Sequence, residues 1–314
     1  VIVIRDPFRS VDLPKGGIVT VGNFDGVHLG HQKMLRDVAQ RAWTLGVPSV
    51  VVTFDPHPLK VLRPEEAPRM IQTLRQREEA IEACGIEALL MVSFTRDFSL
   101  TPAETFVREL LLKRLAAREV HVGERFTFGH RKGGNLDLLR RIGAKGGMEV
   151  VGIADVTDGR ERISSTRIRK LLGEGNVALS GRLLGRLYAM DGMVAKGDRM
   201  GRRIGFPTIN LKPENELYPR DGVYLTTVYI DSFQRTFGCV TNIGRRPTVY
   251  EDFATTIESY VLDFSSDVYG ERIRLAFLDR LRDERTFPSM LELTAQIRLD
   301  VEATREYFLK NPIP

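Results

Sequence analysis

The stretch that most constrains this chain is residues 21–31, VGNFDGVHLGH, because its glycines and apolar residues fit a strand that turns tightly into a helix. Ile18, Val19, Thr20 and Val21 are a mostly β-branched run that predicts a short buried strand. Gly22, Gly26 and Gly30 punctuate the turn, and helical spacing of apolar residues opens at His31. Such a junction leaves backbone N–H groups free at the positive end of a helix, and glycines let a ligand approach without meeting a Cβ. The partner it suits is an anion, above all a phosphate. His28 and His31 flank Gly30, so two imidazoles stand at one mouth, able to donate hydrogen bonds to charge building on a phosphoryl group. A metal at this pair would need further ligands, and the chain's two cysteines, Cys84 and Cys239, belong to no paired motif.

At 314 residues, 42% hydrophobic and 28% charged, the chain has the length for two ordinary cores and a globular composition. The opening VIVIRD is too short for a signal-peptide core, and no apolar run approaches the span of a bilayer. A soluble, cytoplasmic protein with no membrane partner is expected, and two cysteines without a disulfide framework agree with a reducing compartment. The net charge of +5 favours anionic ligands. Nucleotides satisfy it as well as nucleic acid does, and no long basic run requires the latter.

The first half alternates strand and helix. Residues 31–43 carry Met34, Leu35, Val38, Ala42 and Trp43 near helical spacing, with Gly46 as terminator. Residues 50–54 predict a second strand, Thr73 opens a helix ending near Gly85, and 88–92 are the next strand. Thr101, Pro102, Ala103 and Glu104 read as a capping box with proline at N1, starting a helix to about Leu115. A strand at 120–122, a helix at 136–142 and a strand at 149–153 continue the rhythm. The order implies an α/β fold with a doubly wound parallel sheet, whose ligands bind at the carboxyl ends of the strands.

Three further stretches fall at those ends. FDPHP, residues 54–58, is a turn stiffened by prolines that holds Asp55 and His57; alone it is equally a plain rigid turn. Residues 122–129, VGERFTFG, set Phe126 and Phe128 beside a glycine, either bordering a planar ligand or filling the core. Residues 163–169, ISSTRIR, put hydroxyls at a helix start followed by two arginines, which suits a triphosphate or an ordinary cap with solvated arginines.

The His-x-Gly-His spacing is the signature of the nucleotidyltransferase superfamily that includes class I aminoacyl-tRNA synthetases. In this order, the four stretches resemble the FAD synthetase module of bacterial bifunctional riboflavin kinase/FAD synthetases. The resemblance implies a Rossmann-like unit that transfers AMP from ATP to FMN, giving FAD and pyrophosphate. It implies an ATP site of Gly22, Phe24, Asp25, Gly30, Ser165, Thr166 and Arg169 with the catalytic His28 and His31, and a flavin site of Phe54, Asp55, His57 and Phe128. One position departs: Arg125 stands where that family pattern has Asp or Asn.

A link is expected around residues 173–181, dividing the chain into 1–180 and 181–314. All five histidines lie before it, between His28 and His130. Beyond it, strand candidates at 223–230, 237–243, 257–264 and 273–278 suggest an antiparallel β-barrel, with Ile273, Leu275 and Phe277 on the inward side. A closing helix follows Pro288, with a capping box from Ser289 to Glu292 and Leu293, Ile297, Val301 and Phe308 on one face.

Residues 192–210 interleave Gly192, Gly197, Gly201 and Gly205 with Lys196, Arg199, Arg202 and Arg203, as a mobile loop over phosphates or a plain hairpin would. Their ending, Phe206, Pro207, Thr208, Ile209 and Asn210, resembles the riboflavin kinase motif of the same family, which implies that Thr208 and Asn210 hold Mg2+ with ATP. The pattern 242–248 (NIG, two residues, then Pro247 and Thr248) and the pair Glu258 and Ser259 match as well. Glu258 occupies the place of the family's catalytic glutamate, inside a predicted strand; an outward-facing surface Glu is the alternative. Asp263, in the same predicted strand, would face oppositely. The implied small-molecule partners are riboflavin, FMN, FAD and ATP, with no nucleic acid. A different adenylyltransferase would leave residues 206–210 unexplained, and a nucleic-acid-binding module would explain only the charge.

Overall fold

The structure is a computed structural model and describes residues 1–159, 161–197, 201, 204–246 and 254–313. It forms two compact units, one of residues 1–70 and 74–164, the other of residues 71–73 and 165–314.

The first unit is a parallel sheet in the order β1-β4-β3-β2-β5-β6. Its strands are β1 (Ile2–Arg5), β2 (Ile18–Val21), β3 (Ser49–Asp55), β4 (Ala88–Ser93), β5 (Glu119–Gly123) and β6 (Glu149–Ile153). The central strands are unbroken apolar runs because both faces are covered. Val50 and Val52 pack into one core layer with Leu90 and Leu110, while Val51 packs into the other with Leu35, Val38 and Ile81. The helices are α1 (Leu29–Leu45), the short α2 (Pro58–Leu62), α3 (Leu74–Glu82), α4 (Arg96–Ser99), α5 (Ala103–Phe106) and α6 (Leu136–Lys145). The strand order reverses between β2 and β5, and a doubly wound sheet opens a ligand crevice at such a point.

The opening VIVIRD, to which the sequence assigned no element, supplies β1, which pairs in parallel with β4 at the sheet's edge. One expectation changes here. The capping box at Thr101 does not form. Pro102 is itself the N-cap and makes no side-chain cap bond, and α5 passes directly into π-helical turns over Val107–Arg114.

After the two-residue strands β7 (Thr157–Asp158) and β8 (Glu161–Arg162), the second unit begins with α7 (Ser165–Gly173) and α8 (Val177–Leu184). The stretch read as a link is thus mostly helix: Asn176 caps α8, whose Val177, Leu183 and Leu184 are buried. The barrel follows, closed in the order β10-β13-β12-β11-β14-β9. Its strands are β9 (Tyr188–Ala195), β10 (Thr208–Pro213), β11 (Gly222–Ile230), β12 (Arg235–Arg246), β13 (Ala254–Val261) and β14 (Arg272–Arg282). Ile273, Leu275 and Phe277 are buried in the interior, as their alternation predicts. Across that interior the Thr241 hydroxyl bonds the Thr226 hydroxyl at 2.6 Å and that of Ser259 at 2.8 Å. Helix α9 (Met290–Lys310) starts at the Ser289 cap, which accepts from the Glu292 N–H, and lays Ile297, Val301 and Phe308 over Val223 and Val240.

Strands β9 and β10 enter the glycine-rich stretch 192–210 from its two ends and pair antiparallel, which agrees with the hairpin of its two readings. Gly192 is a buried strand residue, not a loop residue. A Cβ there would lie 2.2 Å from the Lys212 carbonyl oxygen, so glycine is what permits β9 and β10 to approach. Asp263 lies past the end of β13, in a turn with φ 54°, where its carboxylate pairs with the Arg305 guanidinium at 2.8 Å. Asp198, Arg199, Arg202, Arg203, Pro247 and Thr248 fall outside the described residues.

Candidate active sites

In the first unit the β2–α1 junction takes the predicted form. His28 is the N-cap of α1, and its Nδ1 accepts from the His31 N–H at 3.3 Å. That bond leaves the neutral ring's proton on Nε2, as a donor. The two rings stack with centroids 3.7 Å apart, and Phe24 meets His31 edge-on at 5.2 Å. Gly30 leaves room for this stack, since a Cβ there would crowd the His28 ring at 3.2 Å. Phe24 and Val27 hold left-handed backbone at φ 48° and 36°, Asp25 is buried, and Gly22 donates its N–H to Val52. Burial drives the His31 pKa well below the ordinary imidazole value, with the nearby His28 and Arg162 acting in the same direction. Its Nδ1 is buried with no hydrogen-bond partner among the described residues.

The β3–α2 turn joins this mouth. His57 caps α2 through Nδ1, which accepts from Leu59, and its Nε2 lies 3.4 Å from the Asn23 side-chain amide. Asp55 is half exposed, 4.0 Å from the Arg77 guanidinium. Phe54 and Phe128 are linked by a chain of rings through Phe98 and Phe106, with centroids 6.0–6.4 Å apart. Phe128 is buried and stacks on Phe126. Arg125 pairs with Asp155 at 3.2 Å, a carboxylate shared with Arg162. Ser165 and Thr166 open α7 in the second unit, and Arg169 sits one turn along it.

In the barrel, Glu258 on β13 stands opposite Asn210 of β10 on one side and Asn242 of β12 on the other. Its neighbours Ile257 and Ser259 are buried inside, so this row of Asn210, Glu258 and Asn242 lies on the barrel's outer surface. Thr208, two residues before Asn210, shares that face opposite Tyr260. Asn210 lies over Gly197, where a Cβ would meet its amide at 2.4 Å, and Gly201 backs onto the Phe206 carbonyl. A Cβ on Gly244 would lie 2.2 Å from the Glu284 carboxylate, which puts a second acid beside Asn242. Lys196 and Pro207 are exposed, and Gly205 turns the chain at φ 84° before β10.

The structure thus gathers His28, His31, Phe24 and Gly30 at one mouth with Asn23 and His57, and Thr208, Asn210 and Glu258 on one outer face with Gly197. Asn242 was legible as a motif but carried no role until strand pairing set it beside Glu258. Asn23 and Arg77 had no assigned role either. The available signal for Arg77 was a charged residue at a position that the spacing of Leu74 and Ile81 gives to the buried face of a helix. Among the described residues, no group of three His, Cys, Asp or Glu side chains is arranged to hold a metal ion, and no helix is long and apolar enough to cross a membrane.

A glycine turn with a histidine pair at the switch point of a parallel sheet, together with a barrel that sets a carboxylate beside Asn210 and Asn242, fits a two-unit nucleotide-using transferase. Residues 11–167 match the family model for FAD synthetase, and residues 184–308 match that for riboflavin kinase. The bifunctional riboflavin kinase/FMN adenylyltransferase of Escherichia coli K12 is 36% identical over 94% of this chain and 93% of its own. That of Pseudomonas fluorescens is 37% identical over 93% of each, and that of Buchnera aphidicola from Acyrthosiphon pisum 33% identical over 98% of each. A crystal structure described as a macrolide-efflux protein from Streptococcus pneumoniae superposes with a TM-score of 0.88 at 32% identity, covering 97% of this chain and 99% of that one. The chain belongs to the bifunctional riboflavin kinase/FMN adenylyltransferase family.

Proposed function

We propose that residues 1–180 adenylylate FMN and residues 181–314 phosphorylate riboflavin, so that one chain carries riboflavin to FAD. The two activities follow from membership of the family, and the division of labour is supported by where the two family models match.

For adenylyl transfer, a phosphate oxygen of FMN attacks the α-phosphorus of ATP and pyrophosphate leaves. His28 donates from Nε2 to the charge that builds there, and His31, kept neutral by burial, stacks on it and holds its plane. Gly22, Phe24, Asp25 and Gly30 shape the phosphate mouth; Ser165, Thr166 and Arg169 supply hydroxyl and guanidinium donors to ATP. Phe54, Asp55, His57 and Phe128 serve the flavin side.

For phosphorylation, the primary alcohol of riboflavin attacks the γ-phosphorus of ATP while Glu258 takes its proton, the bond to the β,γ-bridging oxygen breaks, and ADP leaves. Thr208 and Asn210 offer hard oxygens on the same face as Glu258, which fits Mg2+, and they would hold it. The ion supplies charge neutralisation at the phosphates when bound. Gly197, Gly201, Gly205, Lys196 and Pro207 belong to the segment that would close over ATP, and Gly192 sets its base in β9. A cytoplasmic location is supported by Cys84 and Cys239, both free thiols.

The observation that carries the kinase assignment is the cross-strand row of Asn210, Glu258 and Asn242. Incubation with riboflavin, ATP and Mg2+, followed by chromatography of the flavins, should yield FMN and then FAD. Formation of neither would overturn the proposal.

A further inference from the structure

Arg77 is a buried arginine, 4% exposed, on the inward face of α3. Its Nη1 donates to the carbonyl of Asn23 at 3.3 Å and lies 3.5 Å from that of Phe54. Those carbonyls belong to different segments: Asn23 to the glycine turn that carries the histidine pair, Phe54 to the end of β3 where it runs into the FDPHP turn. The Asn23 carbonyl also accepts from the Thr53 hydroxyl at 3.3 Å. From the same residue the side-chain amide reaches His57 Nε2 at 3.4 Å. Because Nδ1 accepts from Leu59, the neutral His57 ring carries its proton on Nε2, so the Asn23 amide holds it with its oxygen, Oδ1, turned to accept from that N–H. Around the guanidinium stand Asp55 at 4.0 Å, then Asp25 and Glu78, which favour its charge against the cost of burial. Its Nε is buried with no partner among the described residues.

Burying an arginine is costly, and a purely packing position is served better by Leu or Met. Planar geometry is what a single guanidinium adds here: one rigid donor group addresses both loops at once, which a lysine ammonium on a flexible stem does less well. We propose that Arg77 is a positioning residue for adenylyl transfer, which locks the glycine turn to the FDPHP turn and, through Asn23, fixes the His57 ring at the reacting groups. The inference rests on the assignment of His57 to the flavin side of that site.

The test is a double-mutant cycle in the full-length enzyme, with riboflavin phosphorylation by the same molecules as the control for folding. Arg77→Gln should lower kcat for FMN adenylylation by about 10- to 100-fold, the range set by small misplacements of reacting groups. Arg77→Lys, which keeps the charge and is the milder variant for folding, should lie between it and the parent. In a His57→Ala background, either Arg77 substitution should cost clearly less than in the parent, because one of the groups it positions is gone. Multiplicative losses in the cycle, or kinase activity falling in step, would show a general packing role and overturn the inference. Full adenylylation by Arg77→Gln, with His57→Ala impaired, overturns it and leaves the site standing. Full adenylylation by His57→Ala overturns both.

Discussion

The imidazoles of His28 and His31 lie face to face, 17° from parallel, with one ring accepting the other residue's backbone N–H. Each ring therefore depends on the other for its place, and removing one disturbs both. Replacing both with Ala should reduce FAD formation by about 100-fold or more, the loss typical of a removed charge-stabilising donor. FMN should accumulate. Chromatography of flavins from a riboflavin-fed reaction reads both, and equal loss of the two products in a folded variant would refute the assignment.

The same burial makes an acid-side prediction. Because the His31 pKa is lowered on folding, the unfolded chain binds a proton below about pH 6.5 that the folded chain refuses. Unfolding free energy therefore falls as pH drops through that value and is recovered above it. Urea unfolding between pH 7 and pH 5 should show this slope, and His31→Gln should flatten it.

In the barrel, Glu258→Gln keeps the shape of the cross-strand row but removes the base. FMN production should drop by about 100-fold or more, while supplied FMN is still converted to FAD. Asp263→Asn should leave the kinase rate alone, since that carboxylate is occupied at the surface by Arg305.

Two glycines of the same stretch should separate in their effects. Gly192→Ala drives a Cβ into a backbone carbonyl that cannot yield, so the barrel should lose about 3 kcal/mol in urea unfolding. Gly197→Ala presses first on the Asn210 side chain, so kinase activity should fall by about 10- to 100-fold with little change in stability. The reverse pattern would place the functional glycine in the strand.

Arg125→Asn releases one of the two arginines held by Asp155. If position 125 meets the nucleotide, KM for ATP in adenylylation changes; unchanged kinetics would leave Arg125 as the surface partner of Asp155.

Much of this was legible in the chain because its motifs are contiguous: the glycine turn, FDPHP and residues 206–210 each place their groups by local geometry. The α/β rhythm was legible because buried parallel strands are unbroken apolar runs. β1 escaped because four residues at an edge carry little signal, and β9 and β10 were legible only as one of two readings, because glycines that serve close strand approach suit a loop as well. The β10–β13–β12 row and the Arg77 clamp escaped for another reason. Both join residues distant in sequence, and strand pairing and helix docking are what bring them together.

Residues 71–73 belong to the compact body of the barrel unit, where Ile71 is fully buried and its carbonyl accepts from Asn215 at 3.4 Å. The barrel unit is therefore not encoded by one uninterrupted segment of its gene. A crossover past the codon of Thr73 would part residues 71–73 from the rest of the unit they pack in, and one at the codon of Gly181 would also cut α8 in two. Inheritance of the two activities as a single reading frame has, in this chain, a steric reason.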